Sequence, residues 1–411
     1  MHPLEQYAAR LSRAIDDHAD DLVGVRRHIH RHPELSHEEF RTTAYLAERL
    51  SALGYEVHVR DAGTGGFADL TPPGFDPEAH PTVALRTDLD ALPIAELNET
   101  PWRSQNDGVM HACGHDVHMS CAYGAALGLR RVADHLPGRV RLVLQHAEEI
   151  APSGASDLID FGALDGVDAI LGLHCQPLLP VGVVGIRYGA LTAAFDRFEF
   201  TIHGKAGHGA RPHHTVDPIF AGVQLANALY HANSRVFDAR EPSTLSIGEF
   251  HAGTVPNAIP GVATMSGTMR TLTEERRAEV EPLLNRLARG VATMTGTRIE
   301  IDLYRGSPAI INHDTIVDRF ADAARAVLGD EGLRELDLPS MGSEDFSNFL
   351  AHVPGAMFRL GTALEGRQVH LLHTPRFDVD ERAIGYGAQI LSRAALGLLH
   401  DLTEDRQILM R

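Results

Sequence analysis

Residues 109–120, VMHACGHDVHMS, gather Cys113 with His111, His115 and His118. A thiolate and an imidazole side by side are good ligands for zinc or a similar divalent ion. Gly114 argues against a continuous helix through this stretch. In extended geometry Cys113 and His115, two residues apart, point the same way. Three further segments add donors, each after a short apolar run: TVALRTDLDALP carries Asp88 and Asp90, VRLVLQHAEEI carries Glu148 and Glu149, and AILGLHCQP carries His174. One polar residue after a strand is routine. Three successive strands ending in ionisable groups are not, because loops otherwise favour Gly, Asn and Ser. The combination predicts a divalent-metal site.

The pair Glu148–Glu149 divides the labour of such a site. Adjacent residues leaving a strand point to opposite sides, so one can bind metal while its neighbour acts as general base toward a water that metal has acidified. Two rival chemistries use the same residues. A thiol hydrolase with Cys113 as nucleophile would leave Glu148, Glu149 and His174 without a task. A structural zinc would call for four closed ligands, mainly cysteine. The supply of carboxylates and a single thiolate favours an open, catalytic site.

The elements that must position these groups follow from the hydrophobic pattern. Apolar runs at 83–85, 140–144 and 169–173 read as strands buried on both faces, with a helical segment over 120–133 between the first two. That alternation predicts an α/β domain with a central, mainly parallel sheet and helices on both faces, whose site lies outside the carboxyl ends of the strands. SHEEF, with Ser36 three residues before Glu39, has the spacing of a helix capping box. From about Ala193 the pattern changes to β-α-β-β-α-β: strands near 195–204, 243–250, 262–271 and 298–304, and helices over 217–234 and 274–295. This is a ferredoxin-like unit complete in itself. The expected division is therefore 1–192 with 306–411 as a catalytic domain and 193–305 as an insertion.

Bulk properties bound the rest. A chain of 411 residues exceeds one core. A net charge of −18 disfavours a nucleic-acid partner. No segment has the apolar length of a membrane span, and MHPLEQYAARLSRAIDD lacks the apolar core of a signal peptide. The three cysteines are too few for a disulfide framework, so a cytoplasmic location is expected.

With these residues in view, the sequence resembles the aminoacylase-type metallopeptidases. Within them it resembles the branch of indole-acetyl-amino acid hydrolases, hippurate hydrolases and bacterial N-acyl-amino acid amidohydrolases. The resemblance runs from RRHIHRHPELSHEE through RTDLDALPI, MHACGHDVH, QHAEE, GLHCQP, GKAGHGARPHHTVDP and GTVPNAIPGVATMSGTMR to MGSEDFSNF and LLHTPRFDVDE. It implies that Cys113, His115, Glu149, His174 and His373 hold two divalent ions per subunit, with Cys113 bridging. Zinc or manganese come first, cobalt or nickel after them. It further implies Glu148 as general base, Asp88 as an orienting carboxylate, His208 as oxyanion partner, and Asn257 with Arg270 as grips for a substrate carboxylate. The inserted domain would be a lid that also forms a homodimer. The implied activity is hydrolysis of N-acyl-L-amino acids, a small-molecule substrate. A dipeptidase or aminopeptidase of the same family, or a degenerate acyl-amino acid binding protein, are the alternatives. Two positions depart from the family: His146 stands where proline is usual, and Gly209 where alanine is commoner.

Overall fold

The computed structural model describes residues 3–409, which divide into two compact units. Among these residues the first unit runs to Gly189 and includes Ile311–Asp337 and the stretch from Asn348 onward; the second is Ala190–Ile310 with Leu338–Ser347. The first begins with helices α1 (Pro3–Asp16), α2 (Ala19–Arg31) and α3 (Phe40–Ala52), then strands β1 (Glu56–Val59), β2 (Gly66–Leu70) and β3 (Thr82–Asp88). Helix α4 (His115–Arg130), β4 (Arg139–Gln145), α5 (Gly154–Asp160), β5 (Ala169–Pro180) and β6 (Val184–Ile186) follow. The second unit contributes β7 (Ala194–His203), α6 (Pro218–Arg235), β8 (Ser243–Ala252), β9 (Val262–Thr271), α7 (Glu274–Thr295) and β10 (Arg298–Arg305). The first unit then closes with α8 (Asp314–Leu328), β11 (Leu333–Glu335), β12 (Gly355–Ala363) and α9 (Arg382–Leu409).

The sheet of the first unit has eight strands in the order β1-β2-β4-β3-β5-β12-β6-β11. Its centre, β4-β3-β5-β12, is parallel throughout. Every residue of β3 is buried, as expected of a strand covered on both faces. The sequence predicts the third of these strands over 169–173; β5 instead runs to Pro180, because pairing with β12 continues past Leu173. His174 therefore projects from within the strand rather than from the loop after it.

Helix α4 also begins earlier than its pattern suggests. The sequence places its start near Ser120, whereas the helix opens at His115, immediately after Gly114 in the left-handed conformation at φ 86°. All residues from His115 to Leu129 are buried, so the helix shows no polar stripe and its first turn is invisible to periodicity. Small residues let its neighbours approach. A Cβ on Gly124 would stand 2.8 Å from Ala388 Cβ and 2.9 Å from Leu22 Cδ1, and one on Gly128 would stand 2.9 Å from Ile15 Cδ1.

The second unit is a four-stranded antiparallel sheet, β8-β9-β7-β10, with α6 and α7 packed on a core of Phe198, Phe200, Ile202, Leu225, Met265 and Leu284. The connectivity is β-α-β-β-α-β. Asp217 caps α6 by accepting from the Ile219 and Phe220 amides. The extent differs from the sequence division: the unit runs from Ala190 to Ile310, and residues 338–347 belong to it rather than to the first unit. That segment is tied in by the Ala193 amide donating to Gly342 O and the Ser340 amide donating to Leu191 O. Such pairing between distant segments leaves no local pattern.

Candidate metal centre

The centre lies wholly in the first unit, where β3, β4, β5 and the start of α4 converge. The structure brings Cys113, His115, Glu149, His174 and His373 together. Cys113 Sγ stands 3.5 Å from His174 Nε2 and 3.3 Å from His373 Nε2. His373 Nε2 in turn lies 3.3 Å from Glu149 Oε1. Two trios of donors result, Cys113–His115–His174 and Cys113–Glu149–His373, and the thiol belongs to both. A third trio, His115–Glu148–Glu149, adjoins them. Cys113 and His115 are not in extended geometry; the left-handed turn at Gly114 presents one before the helix and the other in its first turn. A Cβ at Gly114 would lie 2.9 Å from Cys175 Sγ, so the turn is tight as well as left-handed.

His174 is set in a ligand-ready tautomer. His174 Nδ1 lies 2.8 Å from Cys175 O, and a carbonyl can only accept, so Nδ1 carries the hydrogen and Nε2 offers its lone pair. Burial, with the nearby His118 and Arg359, holds His174 well below its ordinary pKa and hence neutral. His115 Nδ1 likewise donates to Asp90 O at 2.8 Å. Its Nε2 is buried with no hydrogen-bond partner, 3.6 Å from Asp88 Oδ2 and 3.9 Å from both Glu148 Oε2 and Glu149 Oε1. A buried, unpaired nitrogen facing three carboxylates is a site that fits a cation.

Asp88 and Asp90 brace these donors. Arg86 Nη1 donates to Asp88 Oδ2 at 2.7 Å, and His118 Nδ1 donates to Asp88 Oδ1 at 2.7 Å. The Asp88 carboxyl is held well below the usual range: its burial is outweighed by His115, His118 and Arg86. His118 Nε2 accepts from the Cys175 amide at 2.9 Å, so both its ring nitrogens are engaged and it serves as a brace rather than a donor to metal. Asp90 Oδ2 accepts from Ser36 Oγ and from the Glu149 amide. Asp116 anchors the first turn of α4 through Arg26 and His30, at 2.7 and 2.8 Å. His111 is buried and stands outside the trios; burial pushes its pKa down to about 4.

His146, the departure from the family, is in none of these trios. Its ring packs edge-on against His37 and beside Gly65, and takes a hydrogen bond at 2.7 Å from Arg60 Nη1, which also pairs with Asp157 through Nη2. Burial and Arg60 lower its pKa to about 4, so it adds no positive charge beside Glu148 at neutral pH.

Three further sequence candidates lie in the second unit. His208 and Asn257 are neighbours there: Ala258 bridges to His208, and the Gly209 amide donates to Asn257 O at 2.9 Å. The same closeness accounts for Gly209, since a Cβ would meet Asn257 O at 3.0 Å. Arg270, on β9, donates from Nη1 to Met341 O and lies over the Phe195 ring.

His115 gives a pH prediction. Burial alone would lower its pKa, but Asp88, Asp90 and Glu149 raise it to about 10 in the metal-free protein. At pH 7 it carries a proton that ligation through Nε2 must displace. Uptake of a divalent ion should therefore release at least one proton, and affinity should rise with pH by up to about tenfold per unit until about pH 10. Calorimetry in two buffers of different ionisation enthalpy reads the proton count; a value of zero would remove His115 from the ligand set.

Donors of this kind beside a further carboxylate, at the carboxyl edge of a parallel sheet, define a metal-dependent hydrolase. Comparison with known proteins narrows the class. The sequence profile of peptidase family M20/M25/M40 matches residues 84–397, and the chain belongs to that family of amide-bond hydrolases. It is 38% identical over 388 residues to an N-acetyl-L-cysteine deacetylase of Bacillus subtilis, covering 94% of this chain and 90% of the relative. It is 40% identical over 304 residues to an N-acyl-L-amino acid amidohydrolase of Geobacillus stearothermophilus, covering 74% and 81%. The crystal structure of a dinuclear metal-binding M20 peptidase from Bacillus subtilis matches with a TM-score of 0.82 at 34% identity, covering 94% of this chain and 99% of that one.

Proposed function

We propose that the enzyme hydrolyses the amide bond of N-acyl-L-amino acids, releasing a carboxylic acid and a free amino acid. Cys113, His115, Glu149, His174 and His373 would hold two divalent ions, zinc or manganese before cobalt or nickel, with Cys113 as the donor common to both. The observation that carries this reading is the thiol of Cys113, within 3.5 Å of imidazole nitrogens from two separate donor trios. Bound divalent ions would polarise the scissile carbonyl and acidify a water.

The chain's own groups do the rest. Glu148, 10% exposed and beside the cluster, takes the proton from water and returns it to the leaving amine. His208 Nδ1 accepts from the Ala210 amide at 3.0 Å, so its hydrogen sits on Nε2, where it can donate to the developing oxyanion. Arg270 and Asn257 hold the substrate's carboxylate. The second unit serves as lid and as the homodimer contact, and the protein acts in the cytoplasm.

The test is a panel of N-acetyl and N-benzoyl amino acids, their carboxyl amides, and free dipeptides, assayed after chelator stripping and refilling with each metal. N-acyl amino acids with a free carboxylate should be cleaved only by refilled enzyme. Cleavage confined to substrates with a free amine would point to a dipeptidase or aminopeptidase, and binding without turnover to a carrier.

A further inference from the structure

The spacing of Ser36 and Glu39 is that of a capping box, yet neither residue caps α3. The helix has no side-chain cap at Glu39. Glu34 supplies that function from outside, its carboxylate accepting from the Thr42 amide at 2.8 Å and the Arg41 amide at 3.2 Å. Ser36 and Glu39 are spent elsewhere. Ser36 Oγ donates to Asp90 Oδ2, the same oxygen that receives the Glu149 amide. Glu39 Oε1 accepts from the Ala147 amide at 2.7 Å, across 108 residues of sequence.

Ala147 is an unusual residue to find there. Its φ is 48°, in the left-handed region that a residue with a Cβ rarely enters, and it immediately precedes Glu148. Strain of this kind costs of order 1–3 kcal/mol and persists only where the surroundings over-determine it. Two bonds do so here: Ala147 N to Glu39, and Ala147 O accepting from the Gly154 amide at 2.9 Å. Glu39 itself is fully buried, and it departs from an equally unusual turn, with His37 at φ 67°.

We propose that Glu39 is a positioning residue for amide hydrolysis: its carboxylate fixes the left-handed turn at Ala147 and thereby aims Glu148 and Glu149. The proposal rests on the functional reading above. What Ala147 requires is an oxygen acceptor in a dry place, not a charge. Burial, with a smaller contribution from Asp90, raises the Glu39 pKa to about 7, so at neutral pH about half of the acceptor is already uncharged.

Three variants of the full-length, metal-loaded enzyme test this. Glu39→Gln keeps the oxygen, Glu39→Asp withdraws it by one methylene, and Glu39→Ala deletes it. For the alanine and aspartate variants, kcat on an N-acetyl amino acid should fall about 10–100-fold, and metal affinity by chelator competition should weaken about tenfold or more. KM should stay within about threefold of wild type, since the substrate contacts are untouched. Glu39→Gln should stay near wild type in both readouts. The proposal is overturned if Glu39→Ala (or Glu39→Asp, should the alanine variant not fold) keeps wild-type kcat and metal affinity, whatever its thermal midpoint. It is overturned equally if Glu39→Gln is as impaired as Glu39→Ala. Wild-type enzyme that took up no divalent ion, or cleaved no N-acyl amino acid, would instead contradict the functional reading and the proposal with it.

Discussion

Glu148→Ala is expected to lower kcat by about 10²–10⁴-fold while the purified variant keeps its full complement of metal. That loss corresponds to about 3–5.5 kcal/mol of transition-state stabilisation. The expectation rests on the unequal surroundings of two neighbouring carboxylates. Glu149 is pinned: its amide donates to Asp90, and its Oε1 lies 3.3 Å from His373 Nε2 within a trio that includes the thiol. Glu148 belongs to neither thiol-containing trio, and its Oε2 lies 3.9 Å from His115 Nε2. A group so placed can reach a water beside the ions without being consumed in holding them. Glu149→Ala is the control that separates the two roles, since it should lose metal as well as turnover. Metal analysis after gel filtration, alongside steady-state kinetics, decides the matter. If Glu148→Ala retained activity, or lost metal as readily as Glu149→Ala, the base would have to be sought elsewhere.

Much of this centre was legible because its donors sit where short buried strands end. Asp88 closes β3, and Glu148 and Glu149 follow β4 within a few residues, so an apolar run followed by acids marked both. The insertion was legible because its strands alternate and its helices carry apolar stripes. What escaped did so for physical reasons. The first turn of α4 is enclosed on every side, which erases the periodicity that announces a helix. In that turn His118 falls on the same face as His115, three residues on, where it braces Asp88. The Ser36–Glu39 spacing carried a true signal with the wrong meaning, because a capping hydroxyl and carboxylate serve equally well on a loop 50 to 110 residues distant. Residues 338–347 pair with backbone at 191–193, a relation that no local pattern encodes.

The thiol of Cys113 bears the greatest weight, and Cys113→Ser isolates it. Serine keeps nearly the same size and can still donate a hydrogen bond, so the buried pocket, 6% exposed at this residue, should fold. Its hydroxyl does not ionise readily, however, and an oxygen is a poor substitute where a soft thiolate is shared. Because Sγ lies within 3.5 Å of both His174 Nε2 and His373 Nε2, its loss weakens both trios at once. The expected result is a joint loss of the ions and, with several kcal/mol of charge stabilisation gone, a fall in kcat/KM of about 10³-fold or more. His174→Ala touches one trio alone and should leave the Cys113–Glu149–His373 group able to retain an ion. The contrast between the two variants is therefore in stoichiometry, which elemental analysis reads directly. It also separates this centre from a thiol hydrolase. A nucleophilic cysteine would lose turnover on the same substitution, but wild-type activity would withstand a chelator and the variant's metal content would match the wild type's. Cys113→Ser that retained both ions and turnover would show that the two trios do not depend on a shared thiol.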